Sequence, residues 1–326
     1  MKDIITLGEL LVDLTQTHID AGQIRHFAAN PGGAPANVAV ASARLGASAG
    51  FIGKVGADVY GRDLRAVLER DGVDTAGLYE TASALTTQAL VSVSETGERD
   101  FSFYRNPGAD SLLTEGEALD ALKSLPKVLH IGSVSLTAEP ARGATLAAAE
   151  HARERGALVS YDPNYRAALW PDEGTAVEWM KKPLPLADIL KISDGELPLL
   201  TGTDDLEAGS RALAEQGISL IFITLGGEGT FYRLYGAGTG TIPGFSVPVA
   251  DTNGAGDTFL GALLSRLTAR GNAPLEALTR SEIEEIVRFA NCAAALTCSR
   301  PGAISAMPTL AEVETKLRER TENEDL

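Results

Sequence analysis

What limits the folding of this chain most is a rhythm: short, mostly apolar runs of strand length recur between longer segments patterned as helices. Residues 4–7, 49–54, 128–131, 158–161, 189–192 and 218–224 are such runs. A strand that is apolar on both faces must be buried on both, and strands alternating with helices imply parallel βαβ units. Helical composition fills residues 38–45, closed by Gly46, residues 61–70, closed by Gly72, and residues 141–155, 283–297 and 309–320. The expected class is therefore α/β with a mostly parallel central sheet. One segment breaks the rhythm: residues 87–93 and 100–105 flank the polar stretch from Ser94 to Arg99 and read as a hairpin. The tail 322–326 reads as frayed.

With 326 residues, 44% hydrophobic content and no repeat, low-complexity tract or linker, the chain is expected to fold as a single domain, 1–326. A formal charge of −16 argues against nucleic acid or an anionic membrane as partner. An anionic ligand would need a local basic or amide-lined site. Cys292 and Cys298 match neither a CxxC pair nor a disulfide framework, which points to a reducing compartment. The first residues lack the apolar core and cleavage site of a signal peptide, and no 18 apolar residues run together, so a cytoplasmic location is expected. The histidines are scattered without HExxH spacing, which disfavours zinc. Neither a GxxxxGK[ST] loop nor a GxGxxG after the first strand occurs, which removes two common ways of holding a nucleotide.

Chemistry concentrates at Asp251-Thr252-Asn253-Gly254-Ala255-Gly256-Asp257, which runs directly into an apolar helical pattern. Backbone N–H groups at 254–257 should be unpaired donors of a helix N-terminus, and Gly254, Ala255 and Gly256 leave them open to an anion. Asp257 falls in the first turn, where the helix dipole favours its charged form and keeps it available as a proton acceptor. An ordinary helix start uses the same residues. Asp13 follows the first strand, where open α/β sheets hold their ligands. Gly32 and Gly33 bare the backbone before a helix, and Asn37 offers both donor and acceptor, a combination suited to a polyhydroxy ligand; Gly-Gly there is also common as a plain loop. Pro163 ends the strand at Asp162, so Asn164 and Arg166 leave the sheet edge. After the strand 218–224, Gly226, Gly227 and Gly229 either admit a nucleotide to the backbone or turn a simple hairpin into Thr230.

Asp-Thr-x-Gly-Ala-Gly-Asp at 251–257 resembles the C-terminal signature of the PfkB (ribokinase-like) family of carbohydrate kinases. Gly-Gly-x-x-x-Asn at 32–37 resembles its N-terminal signature, and Gly-Glu-x-x-x-Asp at 8–13 is similar to the start of its sugar kinases. The resemblance covers essentially the whole chain. It implies a three-layer α/β/α fold with a small β-sheet lid, built from strands near 12–28 and 87–105, which often pairs with a second subunit in a homodimer. It also implies ATP-dependent phosphorylation of a sugar hydroxyl. Asp257 would be the base, with Gly254, Ala255 and Gly256 forming the anion hole and Arg166 neutralising the transferred phosphoryl group. Asp13, Gly32, Gly33, Asn37 and Asn164 would bind sugar. Thr224, Gly226, Gly229 and Asn291 would contact ATP. Glu196 would organise Mg2+ through water, although Ser193 stands where relatives often have Asn, and K+ is a further ion the resemblance allows, near Asp251.

The segments 103–110, ending the hairpin with Arg105, and 162–170 resemble those of bacterial fructokinases, so fructose is the expected substrate, with Arg105 touching it. 2-Keto-3-deoxygluconate kinase, ribokinase or nucleoside kinase are the enzymatic alternatives. A sugar- or nucleotide-binding regulator on a kinase scaffold is the non-enzymatic one.

Overall fold

The computed structural model describes residues 1–93, 99–271 and 273–324. The chain begins with β1 (Ile4–Leu7), β2 (Leu11–Ile19), β3 (Arg25–Gly32), α1 (Ala34–Arg44), β4 (Ala49–Gly56), α2 (Val59–Arg70) and β5 (Asp74–Thr81). It continues through β6 (Gln88–Val93), β7 (Arg99–Tyr104), α3 (Glu115–Ala121), β8 (Val128–Gly132), α4 (Ala141–Glu154), β9 (Leu158–Asp162) and α5 (Glu173–Lys181). The remainder is β10 (Ile189–Ser193), α6 (Leu197–Thr201), α7 (Leu206–Ala214), β11 (Leu220–Thr224), β12 (Gly229–Leu234), β13 (Gly238–Pro243), α8 (Ala255–Ala269), α9 (Arg280–Cys298) and α10 (Leu310–Glu324).

Nine strands form the large sheet in the order β13-β12-β11-β10-β9-β8-β1-β4-β5. From β11 to β5 every neighbouring pair is parallel, as the apolar runs predict; only β12 and β13 run antiparallel at one edge. Strand order reverses at β1, which pairs with β4 on one side and β8 on the other. Chain segments leaving β1 and β8 therefore diverge, opening a crevice beyond their carboxyl ends.

Alternation along the strands builds the layers. Ile5, Leu7, Leu129, Ile131, Leu190, Ile192, Ile221 and Ile223 bury against α4 to α7. Their neighbours Ile4, Val128, Ile189, Leu220 and Phe222 bury against α8 and α9. Each fully buried side chain of this kind contributes about 1.5–3 kcal/mol relative to exposure.

A four-stranded sheet, β3-β2-β6-β7, stands apart from the large one. Its β6 and β7 are the antiparallel pair expected from residues 87–105, and β2 joins that pair in parallel to β6. The turn expected from Ser94 falls on residues 94–98, outside the described residues. The closing helix extends beyond residue 320, to Glu324, and so takes in positions expected to fray; residues 325–326 lie outside the described residues. No helix among the described residues is long and apolar enough to cross a membrane.

Candidate active site

The crevice beyond β1 is filled by residues from several separated stretches of chain. Asp13 comes off β1 at the start of β2, half-buried, and its carboxylate packs so close to Gly32 that a Cβ there would lie 2.3 Å from Oδ2. Any larger residue at 32 would push the carboxylate aside. Gly33 caps α1 at φ 107, and a Cβ there would meet the Glu9 carbonyl oxygen at 2.4 Å, so only glycine suits the turn. Glu9, buried at the end of β1, accepts the Ala34 N–H at 2.9 Å and ties that turn to the sheet.

Helix α8 begins where the small residues predict: Gly254 is the N-cap at φ 73, and Ala255, Gly256 and Asp257 form the first turn. The Ala255 N–H reaches the Thr252 carbonyl at 3.4 Å; those of Gly256 and Asp257 meet no acceptor among the described residues. They are the orphan donors of a helix start. Helix α1 lies against α8 through small side chains. A Cβ on Gly261 would come within 2.5 Å of Ala41 Cβ and 3.0 Å of the Val38 carbonyl oxygen. One turn earlier on both helices, this close approach brings Asn37 to Asp257, and Asn37 Nδ2 donates to Asp257 Oδ2 at 2.8 Å. Asn164 Nδ2 reaches Oδ1 of the same carboxylate at 3.4 Å.

Asp257 is 8% exposed, and its electrostatics correct the expectation from the helix dipole. Burial raises its pKa above the ordinary carboxylate value, although the Asn37 hydrogen bond and the charges of Lys191 and Arg166 pull it down. Desolvation outweighs every charge-stabilising contact together. Asp13 is likewise pushed up to about 6, by burial, with Arg166 opposing and Asp257 adding to the rise. Both shifts bring the carboxylates nearer neutrality, where a proton acceptor is most effective.

Two cavities meet at the α8 N-terminus. The smaller, about 90 Å³, is lined by Asp13, Gly33, Asn37, Asn164, Arg166, Gly254 and Asp257 among others. Phe103 of β7 also lines it, so the small sheet supplies part of its wall. The larger, about 590 Å³, is lined by Thr224, Gly226, Gly229, Asn291, Ala255 and Gly256 among others. The loop after β11 turns into antiparallel β12, as one sequence reading expects, and also lines this cavity. Asn291 lies at that cavity with its amide committed, accepting from Thr230 Oγ1 at 2.7 Å and donating to the Ile242 carbonyl at 3.1 Å.

Four expected residues line neither cavity: Gly32, packed against the Asp13 carboxylate, and Arg105, Glu196 and Asp251. Arg105 is turned inward: Nε donates to Asp110 Oδ2 at 2.8 Å and another guanidinium nitrogen to Thr137 Oγ1 at 2.6 Å, so it pins the end of β7 to the core. The third guanidinium nitrogen donates to the Val134 carbonyl at 3.3 Å, and Arg105 lines neither cavity. Glu196 accepts from the Tyr165 and Ser193 N–H groups, both at 2.7 Å, and from Ser193 Oγ at 2.8 Å, so Ser193 supports the glutamate. Asp251 accepts the N–H groups of Asn253 at 3.0 Å and Gly302 at 3.1 Å, joining two loops.

Sequence reading missed a buried ion pair at the floor of the site. Lys191, in the middle of β10, donates to Asp162 Oδ2 at 2.9 Å, and both side chains are almost fully buried. A single lysine inside an apolar strand was the available signal, since a charge is rarely buried without a partner.

A model of the pfkB family of carbohydrate kinases matches residues 1–310. The chain belongs to that family. Among its relatives, Fructokinase-1 of Oryza sativa subsp. japonica is 43% identical over 313 residues, covering 95% of this chain and 96% of that one. The structure of a fructokinase from Xylella fastidiosa with bound ATP matches with a TM-score of 0.90 at 35% identity, over 98% of this chain and 100% of that one. A fructokinase from Vibrio cholerae O395, in a form bound to fructose, ADP and calcium ion, matches at 0.84 and 35% identity, over 96% and 98% of the two chains. Membership in the pfkB family and the ribokinase-like fold accord with the two signatures at 32–37 and 251–257.

Proposed function

We propose that this pfkB-family chain is an ATP-dependent fructokinase, moving the terminal phosphoryl group of ATP to the 6-hydroxyl of fructose. The observation that carries the reading is the shared wall: Asp257 and Gly254 face the cavity of Asp13 and Asn37, while Ala255 and Gly256 face the cavity of Gly226 and Asn291. A hydroxyl on one side and a nucleotide on the other would meet across the first turn of α8. Sugar in the smaller cavity would hydrogen-bond Asp13, Asn37 and Asn164 and rest on the backbone of Gly32 and Gly33. ATP in the larger would lie along Thr224, Gly226 and Gly229.

Asp257 takes the proton as the sugar oxygen bonds to the terminal phosphorus, and the bridging oxygen leaves with ADP. The free N–H groups at 256 and 257, with the Arg166 guanidinium, hold the charge that spreads over the phosphoryl oxygens. Mg2+ would neutralise the nucleotide phosphates. It keeps most of its waters, so one carboxylate behind the site, Glu196, fits it through water. Asp251, whose oxygens take backbone N–H groups, would stabilise the loops around a K+ ion held by carbonyls. The β3-β2-β6-β7 sheet acts as a lid, excluding water, and pairs with a second copy; exposed Ile19, Ile24 and Tyr104 support that contact.

ADP release with fructose, ribose, 2-keto-3-deoxygluconate and adenosine in turn tests the assignment. Turnover is expected with fructose. Its absence, with turnover of another acceptor, would reassign the substrate, and binding without turnover of any would favour a regulator.

A further inference from the structure

Lys191 serves no purpose in the account above, yet it is among the most completely buried charges in the molecule. Its parity in β10 matches Ile189, so it faces α8, and a Cβ on Gly256 would lie only 3.0 Å from its Nζ. The ammonium therefore presses against the first turn of the helix from below, at the end where the helix dipole is already positive. A cation there is unfavourable unless anions surround it. Asp162 on β9, Glu196 before α6 and Asp257 on α8 do so, with neutral His130 on β8 also facing it. Burial alone would lower the lysine pKa, but these carboxylates overcome that and raise it.

The pair is linked to the site by hydrogen bonds. Asp162 spends Oδ2 on Lys191 and Oδ1 on the Asn164 N–H, at 3.1 Å. That bond holds Asn164 at φ 45, a left-handed conformation rare outside glycine, and from it the side chain reaches Asp257. A chain of contacts therefore runs from Lys191 through Asp162 and Asn164 to the carboxylate that faces the smaller cavity. Lys191 lines neither cavity.

Given the kinase reading above, we propose that Lys191 is a positioning residue for phosphoryl transfer, orienting Asp257 through Asp162 and Asn164 and serving as its buried counter-charge. Asp257 is also faced by Arg166, Asp13 and Asp162, so the two members of the ion pair act on it with opposite sign. Removing the cation makes Asp257 harder to ionise; removing the Asp162 charge makes it easier.

The test is the pH dependence of kcat for the wild type, Lys191→Met and Asp162→Asn with saturating ATP and the sugar the wild type turns over. Lys191→Met should lose roughly 10- to 100-fold in kcat, the scale of a misplaced reacting group. Its acid-side midpoint should rise by about one pH unit, while Asp162→Asn should lower it by a similar amount. Sugar affinity by calorimetry should fall much less than kcat, since the loss is concentrated in the transition state. A merely structural ion pair would cost stability and leave both midpoints unmoved. Unmoved midpoints, or a shift of the same sign in both variants, overturn the proposal. If Lys191→Met fails to fold by circular dichroism, the near-isosteric Asp162→Asn decides alone, an unchanged or raised midpoint counting against it. A wild type inactive on every acceptor tested would instead count against the kinase reading.

Discussion

At the scale of single residues, the site is a set of carboxyl groups whose burial works against their charge. Asp257 has Asn37 and Asn164 to hold its two oxygens, and these bonds keep it aimed even as desolvation raises its pKa. Asp257→Asn preserves an acceptor for Asn37 and removes the base. Turnover should fall ~10²- to 10⁴-fold or more, while sugar binding by calorimetry survives; near-normal turnover would mean that the base lies elsewhere. Glu9 carries strain of the same kind, pushed up to about 7 by burial from its ordinary 4.5. A folded-state pKa above the unfolded one stabilises the protein fully below the unfolded value and loses that contribution as pH rises through the folded value. Glu9→Gln keeps an oxygen for the Ala34 N–H and lacks the charge. Urea denaturation should therefore show the variant more stable than wild type at pH 8, by on the order of 1–3 kcal/mol, with the gain vanishing as pH falls through 7 toward 4.5. A gain independent of pH would assign the effect to packing instead.

At the scale of elements, the contact that matters most is α1 on α8. Alanines and Gly261 let the two helices approach until Asn37 and Asp257, 220 positions apart, share a hydrogen bond. Gly261→Ala places a methyl 2.5 Å from Ala41 Cβ, so the helices must separate. Overpacking of this sort costs about 1–3 kcal/mol. Because the strain lies one turn from the site, kcat should fall along with the denaturation midpoint, whereas an unchanged kcat would show the Asn37 bond to be dispensable. Much at this scale was legible beforehand. Apolar runs gave the parallel strands, and the glycines at 254 and 256 gave the start of α8, because both follow from local chemistry. The inward turn of Arg105 was not legible: Asp110 is only five residues on, but Thr137 comes from a segment that only the folded core brings beneath β7.

At the scale of the molecule, the small sheet contributes Phe103 and Asp13 to a cavity completed by α1, the start of α8 and the loop after β9. Ile24, in the turn between β2 and β3, and Tyr104 of β7, 62% and 63% accessible, are the side chains a second copy would cover. Sedimentation should find a dimer, and Ile24→Glu with Tyr104→Glu should yield monomers with raised sugar KM; a wild type that sediments as a monomer removes the paired lid. The sequence by itself determined the α/β class, the family and most of the residues around the crevice, because strand periodicity, helix starts and two signatures are written in neighbouring positions. Tertiary structure alone decided that Lys191 lies buried under Gly256 against Asp162, that Asp257 is raised rather than lowered in pKa, and that one helix turn divides two cavities. Desolvation and ion pairing depend on which distant segments exclude water from a group, and that is a property of the packed chain.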